Sequence, residues 1–326
     1  GASCSGMAFA NQTVCVFDLQ GKAGEIYKSM EEWALSAKTW NANIKLIPYQ
    51  SEIAAAQDFK SGKCDGVYMT SMRARVYNKF SGSIDALGAV PSNAIAQVAI
   101  TYALDKRNAK RLASKIGNET FEVAGINQLG AAYIFAKINK LDKDDPVELL
   151  EGKRFAILGY DIAQTHMVKK VKAIPVLSDV SNFVAKFNNN QADFVAAPAY
   201  VYKPLEIAKG MGPNGAMINF PVVNITMDLV LRPAKFPVGF SDQSRSWFVK
   251  SLPKAFAMMK RMEAGIPASL KLNLTEAQKK RYQMLIREAR IELTRQGVYD
   301  RQMMAVLKKA RCTVERTNFE CSLAGE

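Results

Sequence analysis

One order of events occurs twice along this chain, and that repetition limits the possible folds more than any other feature of the sequence. In its first occurrence the apolar run Thr13–Phe17 ends at Asp18 and a turn containing Gly21 and Gly24, then gives way to helical spacing through Ile26, Met30, Trp33 and Leu35. A second run, Ile44–Ile47, leads through Pro48, Tyr49 and Gln50 to Ser51, an N-cap candidate followed by Glu52 in the first helical turn. A helix over Ile53–Phe59, the turn Ser61-Gly62-Lys63 and a strand over Gly66–Met69 complete the unit. Later a strand over Phe155–Leu158, Gly159 and a helical stretch lead to the run Ile174–Leu177. Ser178-Asp179, a helix over Val180–Phe187, the polar turn Asn188–Gln191 and a strand over Phe194–Ala197 follow in the same order. The second halves superimpose in register: Phe187 lies 128 residues after Phe59, and Asp193 lies 128 residues after Asp65.

Short apolar strands alternating with helices build parallel sheets covered on both faces. With 326 residues the chain is long enough for two cores, so the fold class is α/β, with two lobes that each hold a mostly parallel sheet flanked by helices. Two runs, Gln97–Leu104 and Val222–Leu231, read as extended strands that carry the chain between lobes as a two-strand hinge. Residues 1–100 and 228–326 are then lobe I, and residues 101–227 are lobe II inserted between the hinge strands. The C-terminal stretch carries helices over about Ser246–Met262, Thr275–Arg295 and Tyr299–Arg311, placed outside the lobe I sheet.

Small ligands bind such sheets beyond the carboxyl ends of the strands. That rule nominates Gln20, Tyr49, Tyr68, Thr70 and Arg73 in lobe I, and Tyr160, Asp161, Gln164, Ser178, Pro198 and Tyr200 in lobe II. Asn224, in the second hinge run, and Arg232, just after it, complete the expected ligand contacts. Tyr49, Tyr68, Tyr160, Tyr200 and Tyr202 are flat amphipathic rings suited to stacking on a solute, with core packing as the rival role. Gly159-Tyr160-Asp161 precedes a helix start, where free backbone N–H groups can hold an anion; Asp161 as a simple N-cap is the alternative.

The chain shows little sign of catalysis. His166 is the single histidine, so a Ser-His-acid triad would need it to meet two partners that nothing in the residue order supplies. Gly210-Met211-Gly212-Pro213-Asn214-Gly215 matches GxGxxG literally, but no strand leads into it and Pro213 interrupts it, so it reads as a turn. No Gly-Lys-Ser/Thr phosphate loop and no His/Cys cluster with metal spacing occurs, and no cofactor is expected. The formal charge of +14 favours anionic partners in general. Much of that excess sits in the last third, where Lys279, Lys280, Arg281, Arg287, Arg290 and Arg295 mix with Glu as on a solvated helix face, so nucleic acid is not an expected partner.

Cysteine usage points to an oxidising compartment. Cys312 and Cys321 are close in sequence without zinc-site neighbours, as in a small disulfide loop. Cys15 lies in one apolar run and Cys64 precedes another; if those runs are neighbouring parallel strands, both sulfurs fall at one sheet end, while Cys4 is left over and exchange between Cys4 and Cys15 stays open. No apolar run approaches the roughly 20 residues of a membrane-spanning helix. The start at Gly1 fits a chain whose signal peptide has been removed, and the expected location is the periplasm, as a monomer.

The stretch Glu148-Leu149-Leu150-Glu151-Gly152-Lys153-Arg154-Phe155-Ala156-Ile157 resembles the D-L-x-G-x-K-I-R-V segment that opens the second lobe of the periplasmic solute-binding proteins of TRAP transporters. Ile174-Pro175-Val176-Leu177-Ser178 with Asn190-Gln191-Ala192-Asp193 is similar to that family's P-V-P-L-S … G-x-V-D-G, and Lys60-Ser61-Gly62-Lys63-Cys64-Asp65-Gly66 echoes the first-lobe counterpart. More narrowly the chain resembles the AdeT-type periplasmic proteins. The resemblance implies a type II-like binding-protein fold and a receptor, not an enzyme, that closes on a small polar or anionic solute such as an organic acid. It also implies a membrane permease as partner. Two alternatives are an accessory role in multidrug or aminoglycoside efflux and an enzyme on the same bilobal scaffold. One departure matters: Ala156 stands where the family carries an Arg that clamps a substrate carboxylate. Arg73, with Arg232 in reserve, is the substitute cation that the sequence offers; an ion pair is the competing role for either.

Overall fold

A computed structural model describes residues 11–141 and 145–326, so Cys4 lies outside the described residues. The first unit runs β1 (Asn11–Phe17), α1 (Glu25–Ala37), β2 (Asn43–Tyr49), α2 (Glu52–Lys60) and β3 (Gly66–Thr70). Ser51 caps α2, its hydroxyl accepting the Ala54 N–H at 3.2 Å, as its place before Glu52 predicts. After α3 (Ser71–Ala74), α4 (Lys79–Gly82), α5 (Asn93–Ala103), β4 (Ala113–Ile116) and β5 (Glu119–Ala136), the second unit repeats the order. It comprises β6 (Arg154–Leu158), α6 (Ile162–Lys170), β7 (Ile174–Ser178), α7 (Phe183–Asn188) and β8 (Phe194–Pro198). The chain then runs through α8 (Ile207–Met211), β9 (Ala216–Leu231), α9 (Phe240–Ala264), β10 (Lys271–Leu272), α10 (Glu276–Arg295) and α11 (Arg301–Val314).

The repeat extends to individual hydrogen bonds. Asp65 accepts the Thr13 N–H with Oδ2 at 2.9 Å and donates its own N–H to Thr13 O at 2.7 Å. Asp193 does the same with Arg154, at 2.8 Å in both directions. Each aspartate thereby ties the start of the third strand of its unit to the start of the first. Phe59 and Phe187 are both fully buried behind them.

All strands among the described residues belong to one sheet with the order β2-β1-β3-β9-β5-β8-β6-β7, to which β4 adds against β5 and β10 against β9. The pairs β1/β2, β1/β3, β6/β7 and β6/β8 are parallel, whereas β9 and β5 run antiparallel to their neighbours in the centre. Two parallel three-stranded units thus flank a pair of long strands that pass through both lobes. In β9, Met227–Leu231 pairs with β3; in β5, Ala132–Ala136 pairs with β8.

One hinge strand was expected in the wrong place. Gln97–Leu104 is not extended but falls in α5 and its C-cap. Ser92 caps that helix, and Ile95, Ala96, Ala99, Ile100 and Ala103 bury one face at the three- and four-residue spacing of a helix, against α11. The partner of the Val222–Leu231 run is β5 instead. Register shifts in β5 fall between Val123 and Gly125, between Gln128 and Gly130, and between Ala132 and Ile134. Gly130 sits at the second with φ of 130°, which a side chain would strain. There Gln128 and Asn224 exchange side-chain amide hydrogen bonds at 2.7 and 2.8 Å.

The C-terminal helices pack on different parts of the molecule. Residues of α9 pack on β5, where a Cβ at Gly125 would lie 2.3 Å from the Phe248 ring, and α11 packs on α5. α10 reaches lobe II: Glu292 bonds His166 Nε2 at 2.7 Å and Lys170 Nζ at 2.8 Å on α6, which gives the lone histidine a structural partner. Disulfides join Cys15 to Cys64 and Cys312 to Cys321. Among the described residues no helix is long and apolar enough to cross a membrane.

Candidate functional site

Parallel strands aim their carboxyl ends at one rim of the sheet, and the two units face each other across it. The end of β1 delivers Asp18 and Leu19; β3 delivers Thr70 and, through the first turn of α3, Met72, Arg73 and Arg75. From lobe II, β6 delivers Tyr160, Asp161 and Gln164, and β8 delivers Pro198 and Tyr200. The lobes are closed on each other. Tyr200 Oη donates to Asp18 Oδ1 at 2.9 Å and accepts the Leu19 N–H at 2.8 Å. Arg75 Nη1 meets Asp161 Oδ1 at 3.1 Å, and Gln164 Nε2 approaches Met72 Sδ at 3.5 Å.

Arg73 is the centre of a polar cluster at the edge of this cleft. Its Nε binds the buried Glu52 at 2.8 Å, its Nη2 reaches Asp179 of lobe II at 3.2 Å, and its guanidinium lies 4.0 Å over the Tyr160 ring. Burial opposes the charge of Arg73, but Glu52, joined by Tyr160 and Asp179, holds the pKa above the ordinary value. Arg75 behaves alike, with Asp161 as the compensating anion. Burial, reinforced by Glu52, keeps the Tyr160 hydroxyl protonated well above its usual range. The ion-pair role therefore describes Arg73 as the structure has it.

Behind this rim lies a cavity of about 140 Å³. It runs from Phe17, Thr70 and Met72 past Pro198 and Tyr200, and beneath α6 to Phe155, Phe183 and Tyr282. Among the described residues its wall contains no charged side chain, and its polar side chains are Thr70, Gln164, Tyr200 and Tyr282. Each already has a partner within the protein. Thr70 caps α3 through the Arg73 N–H, and Tyr200 is held by Asp18 and Leu19. Gln164 Oε1 accepts the Leu158 N–H at 3.0 Å and its Nε2 donates to Asp161 at 3.0 Å, while Tyr282 Oη donates to Pro146 O at 2.9 Å.

Of the residues expected to touch ligand, Thr70, Gln164, Pro198 and Tyr200 line this cavity, and Arg73, Tyr160 and Asp161 form the rim beside it. Asp161 is also the N-cap of α6, accepting the Ala163 N–H at 3.1 Å. The others lie elsewhere. Arg232 is at the opposite end of the sheet, because β9 runs antiparallel to β3 and pairs Leu231 with Gly66, the start of β3. There it covers Phe59 at 4.3 Å and pairs with Glu119 at 3.3 Å. Tyr49 bonds Asp58 on α2, Tyr68 packs in the core against Phe248, and Tyr202 stacks on Phe135. Gln20 gives its N–H to Asp18, Ser178 Oγ donates to Val176 O, and Asn224 belongs to the hinge amide pair. Met72, Leu129, Met167 and Phe183 line the cavity without having been expected there; their spacing is that of ordinary core residues.

Two lobes on long shared strands, closing over a cavity at the strand ends, define a solute-binding protein of the two-lobed receptor class. The chain superimposes with a TM-score of 0.75 on a TRAP periplasmic solute-binding protein from Desulfovibrio salexigens with bound orotic acid, over 94% of this chain and 99% of that one, at 11% identity. It superimposes with a TM-score of 0.71 on one from Ralstonia eutropha with bound (S)-2-acetolactate, over 93% and 99%, at 12% identity. Residues 25–326 match the family described as solute-binding protein AdeT 1/2, and the chain belongs to that family. It is 38% identical over 314 residues, 95% of this chain and 100% of the relative, to the probable solute-binding protein AdeT1 of Acinetobacter baumannii.

Proposed function

We propose that this chain is a periplasmic receptor that captures a small solute by closing its two lobes and presents the closed form to a membrane permease, with no bond made or broken. The observation that carries this reading is the set of contacts across the cleft: Tyr200 to Asp18, Arg75 to Asp161 and Arg73 to Asp179 each join one lobe to the other over the cavity. Such contacts form only in the closed arrangement, so they convert solute capture into a shape that a partner can read. Two disulfides suit an oxidising compartment, and the superimposed TRAP periplasmic receptors support the periplasm and a TRAP-type transporter. The organic acids held by the superimposed receptors support a solute of similar size.

The lobes divide, in this reading, within β5 and β9 at the Gln128–Asn224 pair, the point through which both strands pass. Native mass spectrometry of protein freshly isolated from the periplasm tests the proposal. A bound solute of discrete mass is expected, and its removal should enlarge the radius of gyration in small-angle scattering until solute is restored. A chain that carries no solute and keeps one radius under all conditions would overturn it.

A further inference from the structure

A receptor that seizes an organic acid needs a cation or unsatisfied donors where the carboxylate comes to rest. Among the described residues this cavity is lined by no charged side chain and by no side-chain donor without a partner. Arg73 and Arg75 flank it, but Glu52, Asp179 and Asp161 already neutralise them. Ala156 cannot help, because its methyl group carries neither a charge nor a donor. The four polar side chains in the wall spend their hydrogen bonds inside the protein. A carboxylate placed here would lose its water without compensation, which buried charges do not tolerate. An apolar solute loses nothing and gains from burial.

Resting on the receptor reading above, we infer that the solute of this cavity is an uncharged, predominantly apolar compound of about one aromatic or alicyclic ring. The size follows from the volume of about 140 Å³; apolar cavities near that volume, lined by Leu, Ile and Phe, stay dry and accept benzene. Met72 and Met167 in the wall suit it further, because flexible thioethers adapt to and pack against ring edges. The polar contacts of the rim set the closure and the apolar wall sets the selectivity.

Toluene and benzoate are near-isosteric probes that differ in charge. The full chain is titrated with each, and with succinate, following the melting temperature and the aromatic NMR signals of the probe. Toluene should bind saturably and at least tenfold more tightly than either acid. Ala196→Phe, and independently Val180→Phe, put a ring into the cavity and should abolish the toluene response in protein that still melts cooperatively. Benzoate or succinate binding as tightly as toluene would overturn the inference and leave the receptor reading standing. Toluene binding that survives both substitutions would overturn it by placing the site elsewhere. Binding of no probe would overturn it too, while a co-purified solute mass would still uphold the receptor.

Discussion

Tyr200 of lobe II places its hydroxyl on lobe I, donating to Asp18 Oδ1 at 2.9 Å and accepting the Leu19 N–H at 2.8 Å. Asp18 is itself fixed, since it also accepts the N–H groups of Gln20 and Tyr27, and Gly24 lies so close that any Cβ there would strike the carboxylate. The tyrosine therefore meets a preformed acceptor, and burial together with the Asp18 charge raises its pKa far enough to keep the donor proton in place at neutral pH. Tyr200→Phe removes both of its interlobe hydrogen bonds, the one to Asp18 and the one from the Leu19 N–H. The expected cost to closure is about 2 kcal/mol. Hydrogen exchange at Leu19 should speed up several-fold and the closed fraction in small-angle scattering should fall, with global stability nearly unchanged. An unaltered Leu19 exchange rate would show that the contact does not hold the lobes together.

Arg73 tests the ion-pair role against ligand clamping. Glu52 has no exposed side-chain surface, and its other partners are the Thr70 N–H at 2.9 Å and the Tyr160 hydroxyl at 3.3 Å. Arg73→Met leaves that carboxylate buried without its counterion, for which about 2–4 kcal/mol is expected, toward the low side of the range for fully buried pairs because Arg73 keeps some exposure. Adding Glu52→Gln should recover most of the loss, since no charge is then stranded. Urea denaturation of the single and double variants measures both. A guanidinium that served to clamp solute would instead give a stable Arg73→Met chain that has lost its solute.

The sequence carried the parts of this fold that depend on local order, and it obscured those that depend on what a strand or helix meets. The twin units were legible because strand, turn and helix signals recur at fixed spacing, to the point that Asp65 and Asp193 turn out to make the same pair of hydrogen bonds. The first hinge strand differs from expectation because Gln97–Leu104 is apolar enough for either structure, and only the buried face spaced for a helix decides between them. Arg232 was misplaced because its position depends on β9 running antiparallel to β3, a pairing that no local signal encodes. The apolar wall was illegible for a different reason. Leu129, Phe155, Met167 and Phe183 look like any other core residues, and a cavity is only a place where residues of several elements fail to close upon one another.

The disulfides should contribute unequally. Cys15 and Cys64 are 49 residues apart and Cys312 and Cys321 are 9 apart. Constraint of the unfolded chain grows with the logarithm of loop length, giving about 4 kcal/mol for the first and about 2.5 kcal/mol for the second. The Cys15 bond also joins β1 to the entrance of β3 in the core of lobe I, with both residues fully buried. A Cys15→Ala/Cys64→Ala chain should therefore melt several degrees below a Cys312→Ala/Cys321→Ala chain, as calorimetry would reveal. Equal melting temperatures would mean that the loop held by Cys15 and Cys64 is already restrained in the unfolded state.

Asp228 should make stability depend on pH in a direction opposite to that of most carboxylates. It lies wholly buried in β9 beside the hinge, accepting the Ser71 hydroxyl at 2.6 Å and the Ser81 hydroxyl at 2.7 Å. Ser71 also contacts Thr226, whose hydroxyl and N–H bind the buried Asp85. Burial lifts the Asp228 pKa to about 6, against the lowering effects of the two serines and of Arg75. A carboxyl whose pKa is higher folded than unfolded binds its proton more tightly in the native state. Its contribution is present below the unfolded value near 3.8 and is lost as pH rises through about 6. Two pKa units correspond to about 3 kcal/mol at most. Asp85 is raised in the same direction, chiefly by burial, so the wild-type profile contains both groups and a substitution is needed to isolate one. Asp228→Asn, which keeps the shape and lacks the charge, should be the more stable chain at pH 8, by several degrees in melting temperature. The advantage should shrink as pH falls through about 6, to about a third of its full size near pH 4.5, and vanish only below the unfolded value near 3.8. A constant difference across that range would show that Asp228 stays ionised in the folded protein and that Arg75 and the two serines fully offset its burial.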